Sequence, residues 1–163
     1  MALVELLLSP LPSHVRTARL VTVAAARRAG LPDDLVDELR LAVGESCSRA
    51  VGLHAVHAPE TPVRVTVSDD PAGLVVTVSD SGPAAGPAVQ DVAGELLEAD
   101  LPADDLGALD IADPDVALAL VHGLVDDVAV DAGDSGTTVT MRWPLPVKPV
   151  GASGTPSTAA APA

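Results

Sequence analysis

The hydrophobic repeat of this chain changes near Pro59 from a helical period to a strand period, and that change limits the folds it can adopt. Before Pro59, apolar residues recur every three or four positions, as in helices that bury one face. After it, Val63, Val65 and Val67 alternate with polar residues, and a second alternating run follows a turn at 69–73. Two helices followed by a hairpin predict an α+β domain.

The predicted elements follow the order β-α-α-β-β-loop-α-β-β. Strands are expected at 3–8, 63–68, 74–80, 125–130 and 137–143. Helices are expected at 13–29, from 33 to an end between 53 and 57, at 114–124 and, within a Gly-, Pro- and Asp-rich stretch, at 88–99. Ser13 is the predicted N-cap of the first helix and Gly30 its closing glycine. This order predicts a two-layer sandwich, with helices on one face of a mostly antiparallel sheet.

One domain is predicted at 1–143, followed by a disordered tail at 144–163. The chain has one Trp and no Phe or Tyr, so the core must consist of Leu, Val, Ile and Ala. The tail is rich in Pro, Ala, Gly and Ser and carries a single charge. Such a segment cannot bury a regular apolar face, and we expect it to stay unfolded.

The charge balance excludes several classes of function. Nine Lys and Arg residues stand against 23 Asp and Glu residues, a net charge of −14. This charge repels nucleic acids and anionic membranes, and the scarcity of aromatics removes stacking platforms for single strands. No long uncharged apolar run predicts a membrane span. A single cysteine, Cys47, excludes an internal disulfide and fits a cytoplasmic protein.

The histidines do not predict a metal site. His54 and His57 lie three positions apart near the end of the second helix, but no third ligand accompanies them. We expect both to be solvated or to cap the helix. No metal ligands are therefore predicted from the residues alone.

Three stretches of sequence together resemble a known family. They are HVRTARLVTVAAARRAGLPDDLVDELRLAVGESCSRAV, LVVTVSDSGPAAG and VALALVHGLVDDVAVDAGDSGTTVTMRWPL. In order and spacing they resemble the ATP-binding domain of the GHKL superfamily, and most of all its bacterial anti-sigma-factor serine kinases. The resemblance spans 3–143. It implies the histidine kinase-like ATPase (Bergerat-type) fold and a site for ATP and Mg²⁺.

The resemblance assigns roles to Glu45 and Arg49. In the family, a glutamate acts as general base and an asparagine four residues later ligates Mg²⁺, since positions i and i+4 share one helical face. Glu45 matches the base, but Arg49 stands at the asparagine position. A guanidinium has donors only and cannot ligate a metal. Arg49 is predicted to pair with Glu45, either as a plain surface ion pair or as the remnant of the site.

Asp80, Gly82 and Thr137 are the nucleotide-binding residues that the resemblance implies. The family's aspartate accepts a hydrogen bond from the adenine amino group, and glycines after it let the backbone approach the base. Asp80 and Gly82 match, whereas Ala84 replaces the second glycine. Thr137 matches the last box, in which a hydroxyl meets the adenine side. Without the family, Asp80 is an ordinary turn residue and Thr137 a β-favouring one.

The residues expected to lie beside the phosphates of ATP depart most from the family pattern. In the family, glycines at the start of the helix after the lid let backbone amides approach the phosphates. Here Asp115 and Ala117 hold those positions. Asp115 is also an ordinary residue for a helix start, where the macrodipole favours negative charge. Sixteen of the 23 acidic residues, and no Lys or Arg, lie between Arg64 and Arg142. We therefore expect this side to repel polyphosphate.

These substitutions favour a regulatory protein similar to an anti-sigma factor. It would bind a sigma factor, a STAS-type antagonist, or both, with weak or lost serine kinase activity. One alternative is an active kinase that uses ATP and Mg²⁺ to phosphorylate the antagonist, with Glu45 as base. Another is a non-enzymatic scaffold or dimerisation module that retains the fold. The family also implies pairing of two copies through the first helix and the sheet edge.

Overall fold

The structure is a computed structural model that describes residues 2–83 and 114–146. Its elements are β1 (Ala2–Leu8), α1 (Pro12–Ala29), α2 (Asp33–His57), β2 (Val63–Asp70), β3 (Gly73–Asp80), α3 (Pro114–Leu124), β4 (Asp127–Gly133) and β5 (Gly136–Trp143). The predicted α+β class and element order are confirmed. The helix predicted at 88–99 and the tail from 147 onward lie outside the described residues.

The five described strands form one antiparallel sheet in the order β1-β2-β3-β5-β4. Its register places Val65 opposite Val78, and Val78 opposite Val139. All three valines are buried. Because alternate residues of a strand point to the same face, this row marks the face that the helices cover. The alternation read from the sequence therefore predicted the correct inner face.

Helix α2 lies at the centre of the core. It packs against α1, α3 and strand β3. Leu39, Val43 and Ala50 of α2 are fully buried. Trp143, at the end of β5, is also buried, and its Nε1–H donates to Glu38 Oε1 of α2 at 2.8 Å. Because Trp143 is the only aromatic residue of the chain, its fluorescence can report on the packing of this core.

The predicted ends of α1 and the predicted start of β4 can be compared with the structure. Gly30 closes α1 as predicted, with φ of 95° and an N–H that donates to the carbonyls of Ala26 and Arg27. The N-cap prediction for Ser13 is wrong, because α1 already begins at Pro12, whose fixed φ suits the first turn. Strand β4 begins at Asp127 and not at 125, because the Val125 N–H still donates to the Val121 carbonyl at 3.0 Å and continues the helical pattern.

No helix in the described ranges is both long and apolar enough to cross a membrane.

Asp70 holds the turn between β2 and β3. Its Oδ1 accepts from the N–H groups of Ala72 and Gly73 at 2.8 and 3.0 Å, and its Oδ2 accepts from Arg142 Nη1 at 3.1 Å. The backbone bond from Ala72, followed by the other bonds and the Arg142 charge, lowers the pKa of Asp70 below 3.8. A depressed carboxyl pKa contributes stability above the unfolded value, and that stability is lost as the pH falls through the folded value.

The substitution Asp70→Asn is expected to reduce the acid sensitivity of the protein. Asparagine keeps an oxygen that can accept from Ala72 and Gly73, but it does not titrate. Between about pH 5 and pH 2 the variant should therefore lose less unfolding free energy than the wild type. Urea titrations followed by Trp143 fluorescence measure this difference. Equal losses in the two proteins would show that Asp70 does not contribute to the pH dependence.

Candidate functional site

Arg49, Asp80 and Thr137 meet in the interior between α2 and the sheet, and we call them the Arg49 cluster. Asp80 ends β3, and Thr137 is its partner in register on β5. Arg49 Nη1 donates to Asp80 Oδ2 at 2.5 Å, and Arg49 Nη2 donates to Thr137 Oγ1 at 3.4 Å. The side chains of Arg49 and Asp80 are each 1% exposed. The ion pair is thus closed off from solvent.

Two glycines bring the backbone close to Asp80. The Gly82 N–H donates to Asp80 Oδ1 at 2.9 Å, and a Cβ at position 82 would lie 2.8 Å from Leu53 Cβ. Gly136 has φ of +132°, and a Cβ there would lie 1.8 Å from the Asp80 carbonyl oxygen. Neither position has room for a side chain. Asp80 is therefore held by the turn after β3 on one side and by the start of β5 on the other.

Burying the Arg49–Asp80 ion pair costs desolvation free energy. Removing two charges from water costs several kcal/mol for each ion. Their mutual attraction offsets this cost only when the geometry is good and further hydrogen bonds are made. Both Asp80 oxygens accept a bond, but Arg49 Nε is buried and has no partner among the described residues. Stability alone is a weak explanation for such a pair.

His54 ties the end of α2 to the turn after Asp80. It is fully buried, with Nδ1 2.7 Å from the Thr61 carbonyl oxygen and Nε2 2.7 Å from the Ser81 nitrogen. Because the Ser81 N–H can only donate, Nε2 must accept, and Nδ1 carries the hydrogen that Thr61 accepts. The imidazole therefore bridges two chain segments.

The expectation that His54 is solvated or caps the helix is wrong. His54 follows the buried Ala50 by four positions and Cys47 by seven, so it continues the apolar stripe of α2. That spacing was the available signal for its burial. His57 is exposed, as expected. No group of three or more His, Cys, Asp or Glu side chains in the described part of the chain is placed to hold a metal ion.

Replacing His54 by alanine is expected to cost about 2–3 kcal/mol of unfolding free energy, because it leaves a cavity and removes two hydrogen bonds. His57→Ala is the matched control on the same helix, and it should change stability by less than about 0.5 kcal/mol. Denaturant titration of both variants, with Trp143 fluorescence as the signal, measures the two effects. Similar values for the two variants would show that the His54 bridge does not stabilise the fold.

The predicted Glu45–Arg49 ion pair is wrong. Glu45 is half-buried on α2 and forms no ion pair among the described residues. Arg49 turns to Asp80 because a carboxylate in the low-dielectric interior attracts a guanidinium more strongly than one that is half in water. The sequence spacing favoured the helical neighbour, and no local pattern pointed to a partner 31 residues away.

Three further substituted positions were predicted for the site, and two of them lie in the first turn of α3. Asp115 and Ala117 lie in that first turn, and Ala117 is buried. Ala84 lies outside the described residues. Cys47 is buried on α2, and burial raises the pKa of its thiol to about 12, partly offset by the nearby charge of Arg19. A buried thiol with such a raised pKa is a poor nucleophile, so Cys47 is not a candidate catalytic residue.

The Arg49 cluster does not fit Mg²⁺ or adenine in the way the resemblance implied. Arg49 presents only N–H groups at the position of the expected amide oxygen, and Mg²⁺ requires oxygen ligands. The adenine amino group would need an oxygen of Asp80, but that side chain is 1% exposed, and its two oxygens already accept from Arg49 and Gly82. As folded here, the two positions bind each other.

The chain belongs to the histidine kinase-like ATPase domain family, whose model matches residues 8–143. This confirms the family resemblance and the fold that it implied. Among solved structures, the chain is similar to one chain of the SiaB–SiaC complex from Pseudomonas aeruginosa, with a TM-score of 0.51 and 11% sequence identity. The match covers 86% of this chain and 88% of that chain, and at this identity it supports the fold alone. No curated protein matches the sequence significantly.

Proposed function

We propose that this protein is a regulator that acts by binding other proteins, with weak or lost ATP-dependent kinase activity. The Arg49–Asp80 ion pair carries the proposal, because it joins the residue at the expected metal position to the residue at the expected adenine position at 2.5 Å. Opening the site for a nucleotide would require breaking a buried ion pair. Protein-binding surfaces need none of these atoms.

The proposed partners are a sigma factor, a STAS-type antagonist, or both. The resemblance to the anti-sigma-factor kinases supports this choice. The similar chain comes from a complex of two proteins, SiaB and SiaC, which supports a partner-binding use of the same fold. Under this proposal, partner binding does not depend on a nucleotide.

An active serine kinase is the second candidate, and Glu45 is the observation that favours it. Glu45 is half-buried on the same helix as Arg49 and forms no ion pair in the described part of the chain. Its carboxylate is thus available to act as a general base. This candidate requires Arg49 to leave Asp80 when ATP and Mg²⁺ bind.

A phosphotransfer assay separates the two candidates. The purified chain is incubated with a bacterial STAS-domain antagonist and γ-labelled ATP, with Mg²⁺ or with EDTA. We expect no labelled antagonist, and equal affinity for the antagonist in both conditions. Glu45→Gln is the matched variant, which keeps the size of the side chain and removes its basicity. If the wild type labels the antagonist and the Glu45→Gln variant does not, the protein is an active kinase and the proposed function is wrong.

A further inference from the structure

Three neighbouring residues of α2 contact the turn that follows β3, and we call this turn, residues 80–82, the Asp80 turn. Arg49 binds the carboxylate at its start, and Leu53 lies against the glycine at its end. Of the three, only His54 binds the backbone of the turn, because its Nε2 accepts from the Ser81 N–H at 2.7 Å. His54 is therefore the residue that ties this stretch of main chain to the helix.

The two contacts of the His54 ring require one arrangement of its hydrogens. Nδ1 lies 2.7 Å from the carbonyl oxygen of Thr61, which can only accept, and Nε2 lies beside the N–H of Ser81, which can only donate. Nε2 must therefore accept with its lone pair. A charged imidazole donates from both nitrogens, so it would place an N–H group against the Ser81 N–H. Proton uptake at Nε2 thus breaks the bond between the ring and the Asp80 turn.

No carboxylate is placed to balance a positive charge on this ring, which is fully buried. From α2, the ring contacts the loop before β2 and the Asp80 turn. Within five positions of these contacts, the titratable and charged side chains are Arg49, His57, Glu60, Arg64 and Asp80. Asp80 is bound to Arg49, and the other three are exposed. Of the helices packed against α2, α1 has no carboxylate, and the one carboxylate of α3, Asp115, lies in its first turn. A charged ring is therefore unfavourable here unless it moves to reach water.

We propose that the Asp80 turn is an acid-sensitive switch, held against α2 by the uncharged ring of His54 and released when that ring takes up a proton. The bond to Ser81 is present above the pH of proton uptake and is lost below it, so its contribution to stability disappears on acidification. Histidine is the side chain that ordinarily changes charge between about pH 5 and pH 8, so the switch would respond to physiological changes of pH.

Release of the Asp80 turn also affects the Arg49 cluster. The carboxylate that Arg49 binds belongs to the first residue of the turn, and the Gly82 N–H that supports this carboxylate belongs to the last. Movement of the turn away from α2 therefore loosens the buried ion pair. The inference goes beyond the proposed function: a regulator that does not respond to ATP would respond to protons at the same turn.

The test is a pH titration of the full ¹⁵N-labelled chain by NMR, from about pH 7.5 to about pH 5. Long-range ¹H–¹⁵N spectra show which ring nitrogens of His54 carry hydrogen, and amide spectra follow Ser81 and Gly82. We expect hydrogen on Nδ1 alone at the upper end. As Nε2 takes up a proton, both amide signals should change with the same midpoint, and the protection of the Ser81 amide from hydrogen exchange should fall about tenfold, the equivalent of one hydrogen bond.

Three results of this titration would overturn the switch. They are hydrogen on Nε2 at the upper end of the range, a ring that stays uncharged throughout, and a Ser81 amide that does not respond when the ring takes up its proton.

Two variants assign the response to His54. Glutamine does not titrate in this range, and its side-chain oxygen can accept from the Ser81 N–H, so in His54→Gln the Ser81 and Gly82 signals should not depend on pH. His57→Gln, an exposed histidine of the same helix, should respond like the wild type. Trp143 fluorescence in denaturant verifies that each variant is folded, and the wild-type titration decides the question without them. An unchanged response in folded His54→Gln would assign the effect to another group, such as Asp80, and overturn the proposal.

The outcome is separable from that of the proposed function, because the titration uses the free chain. If Ser81 does not respond to the His54 ring and no antagonist is phosphorylated, the switch is wrong and the proposed function stands. If the switch operates and the wild type phosphorylates the antagonist, the switch is right and the proposed function is wrong.

Discussion

Replacing Arg49 by methionine is expected to destabilise the protein by about 3–5 kcal/mol. Methionine fills similar space but leaves the Asp80 carboxylate buried with no counter-ion. Asp80 is 1% exposed at its side chain, so water cannot replace the guanidinium without opening the site. Denaturant titration with Trp143 fluorescence, supported by far-ultraviolet circular dichroism, measures the loss.

Two comparisons make the Arg49 result specific. Arg40→Met is the matched control on the same helix, because Arg40 pairs with Asp37 in a largely exposed i,i+3 bridge. It should cost less than about 1 kcal/mol. The double variant Arg49→Met with Asp80→Leu removes both charges and should recover most of the lost stability. A cost for Arg49→Met no larger than that for Arg40→Met would contradict a buried, mutually dependent pair.

Gly136→Ala is the second substitution with a large expected effect, about 3 kcal/mol or more. Gly136 adopts φ of +132°, a region that L side chains rarely occupy. A Cβ there would lie 1.8 Å from the Asp80 carbonyl oxygen, which is rigid backbone of the neighbouring strand. Relief of this contact must separate β5 from β3 where Asp80 and Thr137 pair.

The control for Gly136 lies at the other end of the same turn. Gly133 has no positive φ, and a Cβ at that position would meet nothing within 4 Å. Gly133→Ala should therefore change stability by less than about 0.5 kcal/mol. Thermal unfolding of the two variants side by side gives the comparison. Comparable melting temperatures for both would show that the close approach at Gly136 does not matter.

The fold was predictable because its signals are local and repeat along the chain. The inner faces of β2, β3 and α2 follow from periods of two to four residues, and the end of α1 follows from the single residue Gly30. The errors fall at element ends. At Ser13 and at Val125 the competing signals differ by one or two positions, and a single hydrogen bond or a proline decides between them.

The candidate site was less predictable because its contacts connect distant segments. The i,i+4 spacing made Glu45 the natural partner of Arg49, but the guanidinium instead crosses to a strand end 31 residues away. Burial decides this choice, and burial depends on the packing of α2 over β3. The same is true of Arg19, whose position depends on the missing side chain of Gly44. Neither contact corresponds to a periodic pattern in the sequence.

The most direct test of the account is a calorimetric titration of the wild-type protein with ATP, with and without Mg²⁺. We predict no binding that Mg²⁺ strengthens, up to millimolar nucleotide, because Arg49 stands where the family resemblance places the metal ligand and binds Asp80. Arg49→Asn restores an oxygen ligand, and together with Asp115→Gly it should raise the Mg²⁺-dependent affinity. Micromolar binding of ATP by the wild type, tightened by Mg²⁺, would contradict the central claim that the Arg49–Asp80 pair closes the nucleotide site.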